Sequence, residues 1–476
     1  MEFKRRKIRK VIKPTLKPQK LPKPPRDPGE QYLVKHKRKI TISLGLVGSI
    51  VVIVLLFVGI AKAISSINFG VFLKVAGEEL KTDTYGHSNF MILGTGGLNH
   101  DGADLTDTII VASLDSEKSL ISMVSIPRDT YVKDALVGNS RINEVYLNAK
   151  NHFDSSEKGI EHLKSQVENL MGVPIHYWVK IDFKGFKELI DALDGIDVIV
   201  DTPINDPYYP ADVGIGYSPF TISAGPHTLD GATALKYARS RKTTSDFDRA
   251  ERQQDIIYAI KEKALQTEIM FSPEKIGDIL DTLKSNIETN ISVKEILTLG
   301  SLAKDFTKDQ ISHNLIHDDP TQCGGFFYTP ERQYYNGMFV LIPAGGFDFI
   351  HLYSDLIFNF PEILREGTKI QILNGTKTGG VAGETKQILN RFCLDVVRFG
   401  NGASKDITTT TYYYHPEKRP RTLDFLQKII PGKESTTPPA DYQEYMSGTD
   451  LVLELGADYV DSDKYLSDPF YALMGL

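Results

Sequence analysis

Twenty-two consecutive uncharged residues, Ile40 to Ala61, constrain this chain more than any other stretch of it. They are dense in Val, Ile and Leu, and at about 1.5 Å rise per helical residue they match the roughly 30 Å hydrocarbon core of a bilayer. A helix is the form that satisfies its own backbone polar groups there. Residues 1–39 hold fifteen Lys or Arg against three acids, Glu2, Asp27 and Glu30, a net charge of +12. With −6 on the whole chain, the remainder carries −18. That asymmetry predicts a single-pass protein of the cell membrane, N-terminus in the cytoplasm and everything after Lys62 outside. Ala61-Lys62-Ala63 has the look of a signal-peptide cleavage site. Against cleavage, the basic segment is too long, and the apolar run exceeds the usual h-region of about 7–15 residues. Lys13–Pro28, rich in Lys and Pro, cannot bury a core and is predicted to be disordered, either lying on anionic headgroups or acting as a solvated topology signal.

About 410 residues follow the apolar run, enough for two or three domains. Hydrophobic content of 41% and charged content of 24% are ordinary for globular domains. The only cysteines, Cys323 and Cys393, exclude a disulfide framework and leave room for one bond in an oxidising compartment. The sequence shows no zinc-type Cys/His spacing, no Walker loop and no G-x-S-x-G elbow. Its acidic exported part argues against nucleic acid as a partner.

From Asn89 onward short apolar runs alternate with helical patterns. Asn89–Gly94, Thr108–Leu114 and Leu120–Ile126 are predicted strands. Ile160, Leu163, Val167 and Leu170 have the spacing of an amphipathic helix closed by Gly172. A strand at Tyr177–Ile181, a helix from Phe183 ending at Gly195, and a strand at Ile196–Val200 come next. Residues 202–222, with four prolines, read as a long loop. A helix is expected from about Phe247 to Leu265, residues 273–320 look mostly helical, and the aromatic-rich 322–360 shows no assignable pattern. A second unit starts near Gly367, with strands at Lys369–Leu373, Asp395–Phe399, Thr408–Tyr414 and Leu451–Leu455. Helices at Val381–Phe392 and Leu423–Ile430 separate them, and Pro431–Tyr442 reads as a loop. Both units are α/β.

Three clusters carry chemistry. In Tyr237-Ala-Arg239-Ser-Arg241, an extended backbone would send Arg239 and Arg241 to one side. On the following helix Arg249, Arg252 and Gln253 share a face. Four guanidiniums gather only around a counter-ion, and a diphosphate suits their planar forks. Any one of these arginines is served equally well by a salt bridge to Asp246, Asp248 or Glu251. The second cluster is Ser125-Ile126-Pro127-Arg128-Asp129-Thr130, at the end of an apolar strand, where α/β sheets place ligands. Arg128 there is a fifth phosphate contact or a turn partner of Asp129. Arg141, opening a helix, is a weaker candidate. The third cluster is the glycine-rich loop Gly94-Thr-Gly96-Gly97 and its acids Asp101, Asp104 and Asp107. These either form turns or hold Mg²⁺ (or Mn²⁺) against a diphosphate.

Together these segments resemble the LytR–CpsA–Psr family of bacterial envelope enzymes. The matching pieces are Asn89–Gly94, Leu105-Thr-Asp107-Thr108, Val124-Ser-Ile-Pro-Arg128-Asp129-Thr130-Tyr131-Val132, Arg141-Ile-Asn143, Leu229 to Arg241 and Asp246 to Gln253. They stand in family order over roughly residues 85–265. The resemblance implies a central mixed β-sheet flanked by helices. It also implies an enzyme that takes a glycopolymer from a polyprenyl-(pyro)phosphate carrier and attaches it to peptidoglycan through a phosphodiester. Arg128, Arg239, Arg241, Arg249 and Arg252, with Gln253, would surround the lipid diphosphate, and acids at the domain start would hold Mg²⁺. Asp129 and Asp246 would each serve as general base or arginine partner. Residues 367–456 look like the C-terminal domain that accompanies many members, a smaller α/β unit. Two departures stand out. Gly94-Thr95-Gly96 replaces G-x-D, removing one expected metal carboxylate, and Leu105-Thr106-Asp107-Thr108 replaces R-S-D-T. Asp101 and Asp104 are near enough in sequence to substitute. The expected layout is a tail at 1–39, a spanning helix at 40–61, a stalk at 62–84, a catalytic domain at 85–355 and a C-terminal domain at 366–460. Two other functions fit the same residues: an envelope protein that binds lipid or polymer without transfer, and a polyprenyl pyrophosphatase.

Overall fold

The computed structural model describes residues 79–97, 102–209, 216–240, 310–442 and 445–462, with shorter pieces between 252 and 307. The expected spanning helix lies outside the described residues, as do Asp101, Arg241, Asp246, Arg249 and Gln253. Among the described residues no helix is long and apolar enough to cross a membrane.

Ser88–Thr95 (β1), Thr106–Asp115 (β2) and Leu120–Ile126 (β3) are nearly continuous apolar runs, the pattern of strands covered on both faces. They pair antiparallel in sequence order. Tyr131–Val132 (β4) and Ser140–Arg141 (β5) make a short ladder past the end of β3. Tyr177–Asp182 (β6) adds parallel to β1. Ile196–Val200 (β7), Ile204–Asp206 (β8), Phe220–Ile222 (β9) and Gly225–Leu229 (β10) form two small ribbons, β7 with β10 and β8 with β9. Ile287–Thr289 (β11) and Ile311–Leu315 (β12) close the main sheet in the order β11-β6-β1-β2-β3-β12, with mixed strand directions as expected.

Alternate residues of each central strand feed different cores, as the period of two requires. Met91, Leu93 and Val111 pack against Ile142–Phe153 (α1) and Ser156–Met171 (α2). Phe90, Ile92 and Ile110 pack against Phe183–Ala192 (α3) and Gly231–Arg239 (α4). α2 starts at Ser155, whose side chain accepts from Lys158 N, and ends at Gly172 with φ of 71°.

Four expectations need correction. The stretch 202–222 is not wholly loop, because β8 and β9 pair across it. Three-residue strands among prolines show no alternation to read. The stretch 273–320 contains β11 and β12, edge strands whose polar residues (Ser312, His313, Asn314) hide the strand signal. Tyr237–Arg239 is helical, not extended: Asp230 caps α4 by accepting from Thr233 N, and the helix runs to Arg239. In 431–442, Lys433–Ser435 is a strand, also at a sheet edge.

The aromatic-rich stretch folds into a small ladder, Phe327–Tyr328 (β13) with Ile342–Pro343 (β14), and the helix Asp348–Asn359 (α5). After Pro361–Glu366 (α6) comes a five-stranded sheet of Lys369–Asn374 (β15), Asp395–Asn401 (β16), Thr411–Tyr414 (β17), Lys433–Ser435 (β18) and Leu451–Leu455 (β19). Its order is β16-β15-β19-β17-β18, with helices Val381–Arg391 (α7) and Thr422–Ile429 (α8). The Met91 core continues through Tyr353 and Leu356 of α5 into Ile370, Phe392 and Leu453. Cys323 and Cys393 form a disulfide across that junction, beside Arg391 Nε, which donates to Pro320 O at 2.7 Å.

Candidate active site

The antiparallel order of β1, β2 and β3 brings three loops to one edge: the end of β1, the start of β2 and the end of β3. The parallel β6 adds Asp182 beside Thr95 at the same edge. Here the Ser125–Thr130 segment turns sharply, with Thr130 N and Oγ1 both donating to Pro127 O, at 3.1 and 2.7 Å. The turn leaves the Arg128 side chain 45% exposed.

Arg128 Nη1 donates to Asp107 Oδ1 at 2.9 Å, and its Nε lies 3.6 Å from Asp129 Oδ2. Arg141 Nη1 reaches the other Asp129 oxygen at 3.4 Å, while its Nη2 donates to Glu144 at 2.5 Å. The hydrogen bond to Glu144, against the opposing pull of partial burial, raises the Arg141 pKa. Asn143 Nδ2 donates to Asp107 Oδ1 at 3.4 Å. Acid and guanidinium therefore alternate along the sheet edge. Glu144 fixes the row to α1 by accepting from Arg141 N.

Arg239 arrives from another element. Its guanidinium lies 4.3 Å from the Phe183 ring centroid and 5.7 Å from that of Tyr209, whose hydroxyl accepts from Nη1 at 3.3 Å. Because Phe183 follows Asp182 directly, Arg239 stands near the same sheet edge, with no hydrogen bond or ion pair to the Asp107–Arg128–Asp129 row. Arg252 behaves differently. It is 5% exposed, and it donates from Nε to Tyr237 O at 2.8 Å and from Nη2 to Ser240 O at 2.5 Å. Those carbonyls end α4, so Arg252 closes the turn that carries Arg239. Ser240 Oγ in turn donates to Asp206 Oδ2 at 2.8 Å.

The glycine-rich loop packs against β6. A Cβ on Gly97, whose φ is +77°, would sit 2.9 Å from Asp182 Oδ2. Asp104 Oδ2 accepts from Lys150 Nζ of α1 at 2.8 Å. Asp107 and Asp104 thus each face a cation with one oxygen and keep the other free of hydrogen bonds among the described residues. Among the described residues no group of three or more His, Cys, Asp or Glu gathers as a ready cage. This donor set suits Mg²⁺ arriving with phosphate oxygens, because Mg²⁺ needs only one or two protein carboxylates.

Three side chains at this edge escaped the sequence reading as site residues. Asn143 lies in the first turn of α1 and Asp182 ends β6, and the site residues beside them are distant in sequence. Lys180 had a visible signal, a lysine inside the apolar strand Tyr177–Asp182. It bonds Glu288 at 2.5 Å and Tyr146 Oη at 2.7 Å. Burial lowers its pKa, but those two contacts outweigh burial and the net direction is up.

Residues 67–338 match the model of the LytR_cpsA_psr family, and residues 367–459 match LytR_C, described as LytR cell envelope-related transcriptional attenuator. The polyisoprenyl-teichoic acid–peptidoglycan teichoic acid transferase TagU of Bacillus licheniformis is 29% identical over 249 residues, 52% of this chain and 74% of that protein. TagV of Bacillus subtilis, of the same description, is 33% identical over 208 residues, 43% of this chain and 50% of its own length. The crystal structure of B. subtilis TagV is 26% identical and covers 58% of this chain and 98% of its own, with a TM-score of 0.42. With over half of its length matched by the first model, the chain belongs to the LytR–CpsA–Psr family.

Proposed function

We propose that this protein is a membrane-anchored phosphotransferase that moves a glycopolymer from a polyprenyl-(pyro)phosphate carrier to peptidoglycan through a phosphodiester. The observation that carries the reading is Arg128, half exposed at the carboxyl end of β3 and aimed by Asp107 and Asp129. A diphosphate oxygen can meet its remaining N–H groups without breaking that row. The family membership and the transferases it resembles support the same reading.

In the reaction, an acceptor hydroxyl oxygen forms a new bond to the phosphorus that bears the glycan. The bridging P–O bond breaks, the lipid monophosphate leaves, and the hydroxyl proton passes to a base or to water. Charge neutralisation and in-line placement limit such steps more than covalent chemistry does. Arg128 and Arg239 hold the phosphates, together with Arg241, Arg249 and Gln253 from the sequence. Arg252 positions Arg239. Asp129, between two guanidiniums, serves as their partner, and Asp246 remains the candidate base. Asp107, with Asp104 and Asp101, would hold Mg²⁺ or Mn²⁺, which supplies further neutralisation of phosphate charge. The spanning helix at 40–61 would keep the site within reach of a carrier that stays in the bilayer.

The test is to incubate the detergent-solubilised full chain with a polyprenyl-diphosphate glycan and peptidoglycan. Lipid phosphate release together with phosphodiester-linked polymer is expected, dependent on Mg²⁺ or Mn²⁺. Release without linkage would make it a pyrophosphatase. Binding with neither would make it a carrier protein.

A further inference from the structure

In the sheet of the C-terminal unit, β16 pairs with β15 alone and leaves an outer edge with no strand on it among the described residues. The β15–β16 register slips between Ile370 and Gln371, so Ile370 faces Val396, Gln371 faces Arg398, and Val397 is the extra residue. A bulge of this kind redirects side chains at a sheet edge. Here it lets residues from β15, β16 and α7 line one cavity of about 460 Å³, among them Gln371, Lys386, Arg398, Phe399, Asn401 and Tyr445.

The groups around that cavity are unsatisfied in a consistent way. Gln371 is 4% exposed, yet its Oε1 has no hydrogen-bond partner. A buried acceptor without a donor is costly, and native folds rarely keep one without a reason. Phe399 is 51% exposed, with Lys386 Nζ 4.7 Å from its ring centroid. Arg398 gives one Nη2–H to Ser447 O, and neither Arg398 nor Lys386 meets a carboxylate among the described residues. Tyr445 rests edge-on against Tyr442, with ring centroids 5.4 Å apart, and makes no hydrogen bond through its hydroxyl among the described residues. Two lining cations thus lack an anion, beside an aromatic ring that is half exposed.

We propose that this cavity binds a saccharide bearing an anionic group, carboxylate or phosphate, at a site separate from phosphoryl transfer. A sugar ring covers the open part of Phe399, and the anion sits between Lys386 and Arg398. Two envelope sources share this chemistry: peptidoglycan, through its lactyl and peptide carboxylates, and phosphate-substituted glycan.

The test is equilibrium binding of labelled glycans to the detergent-solubilised full chain, using soluble peptidoglycan strands, a phosphomannan and neutral dextran. At least one anionic glycan should bind and dextran should not, and the one that binds identifies the source. Phe399→Ala should weaken binding roughly tenfold, the scale of one lost stacking contact. Lys386→Gln with Arg398→Gln should do the same and remove the salt dependence, while thermal midpoints stay put. The proposal is overturned if neither anionic glycan binds, if dextran binds equally well, or if affinity is unchanged in both variants. It is also overturned if binding disappears in Arg128→Ala but survives in Phe399→Ala, because the glycan would then belong to the transfer site.

Discussion

Arg128 and Arg252 carry the same charge and do different work, and the difference is burial. Arg128 is exposed enough to meet a ligand, and its surface pairs contribute at most about 1 kcal/mol to stability. Arg128→Ala should therefore leave the thermal midpoint nearly unchanged while lowering transfer by roughly 100- to 1000-fold, the usual cost of one oriented charge donor. Arg128→Lys should restore part of the rate, because a point charge replaces the fork. Arg252→Ala should show the opposite balance. It strands the carbonyls of Tyr237 and Ser240, so about 3 kcal/mol of stability should go, read by urea unfolding. Activity should fall with it, because Arg239 loses its mount. Sequence alone placed both arginines in one pocket, because spacing reports which residues are near each other and not which of them face solvent. Arg128 was legible from its strand end. That Arg252 donates to the carbonyls of Tyr237 and Ser240 was not, since main-chain carbonyls have no sequence signature.

At the scale of elements, the loop between β4 and β5 is tied to α2 through one carboxylate. Asp134 accepts from Leu136 N at 2.8 Å and Val137 N at 3.1 Å, and from His162 and Gln166 of α2 at 2.6 and 3.1 Å. Burial would push this carboxyl up, but the two amide bonds and the His162 contact prevail and hold it below its ordinary value. The stabilisation is complete above an unfolded-state value of about 3.9 and fades as pH falls through the lower folded value. Asp134→Asn should lower stability at pH 7 and flatten its decline between about pH 4 and pH 2, measured by denaturant titration at each pH. Central elements were readable because they are long and apolar. β3 spans Leu120–Ile126 and β7 spans Ile196–Val200, as their runs predict. β8, β11, β12 and β18 were not, because short edge strands are held by partners distant in the chain and carry mixed polar residues.

For the whole molecule, the disulfide and the shared core decide how the two α/β units behave on unfolding. Cys323 and Cys393 are 70 residues apart, a loop for which chain entropy sets an upper contribution of about 4 kcal/mol. Replacing both by Ser should lower the thermal midpoint, and reductant should do the same to the native protein and nothing further to the variant. Since the core runs without a break from β1 to β19, calorimetry should show the units melting in one transition. The sequence by itself determined the apolar run, the charge asymmetry, the α/β character of both units and the family's arginine strings, because each is written in composition or short-range period. Only the tertiary structure decided that Arg252 faces inward, that Asp129 sits between Arg128 and Arg141, that the cysteines meet, and that a slipped strand opens a cavity at Gln371. Those outcomes depend on contacts between residues far apart in the chain, whose energies no local pattern records.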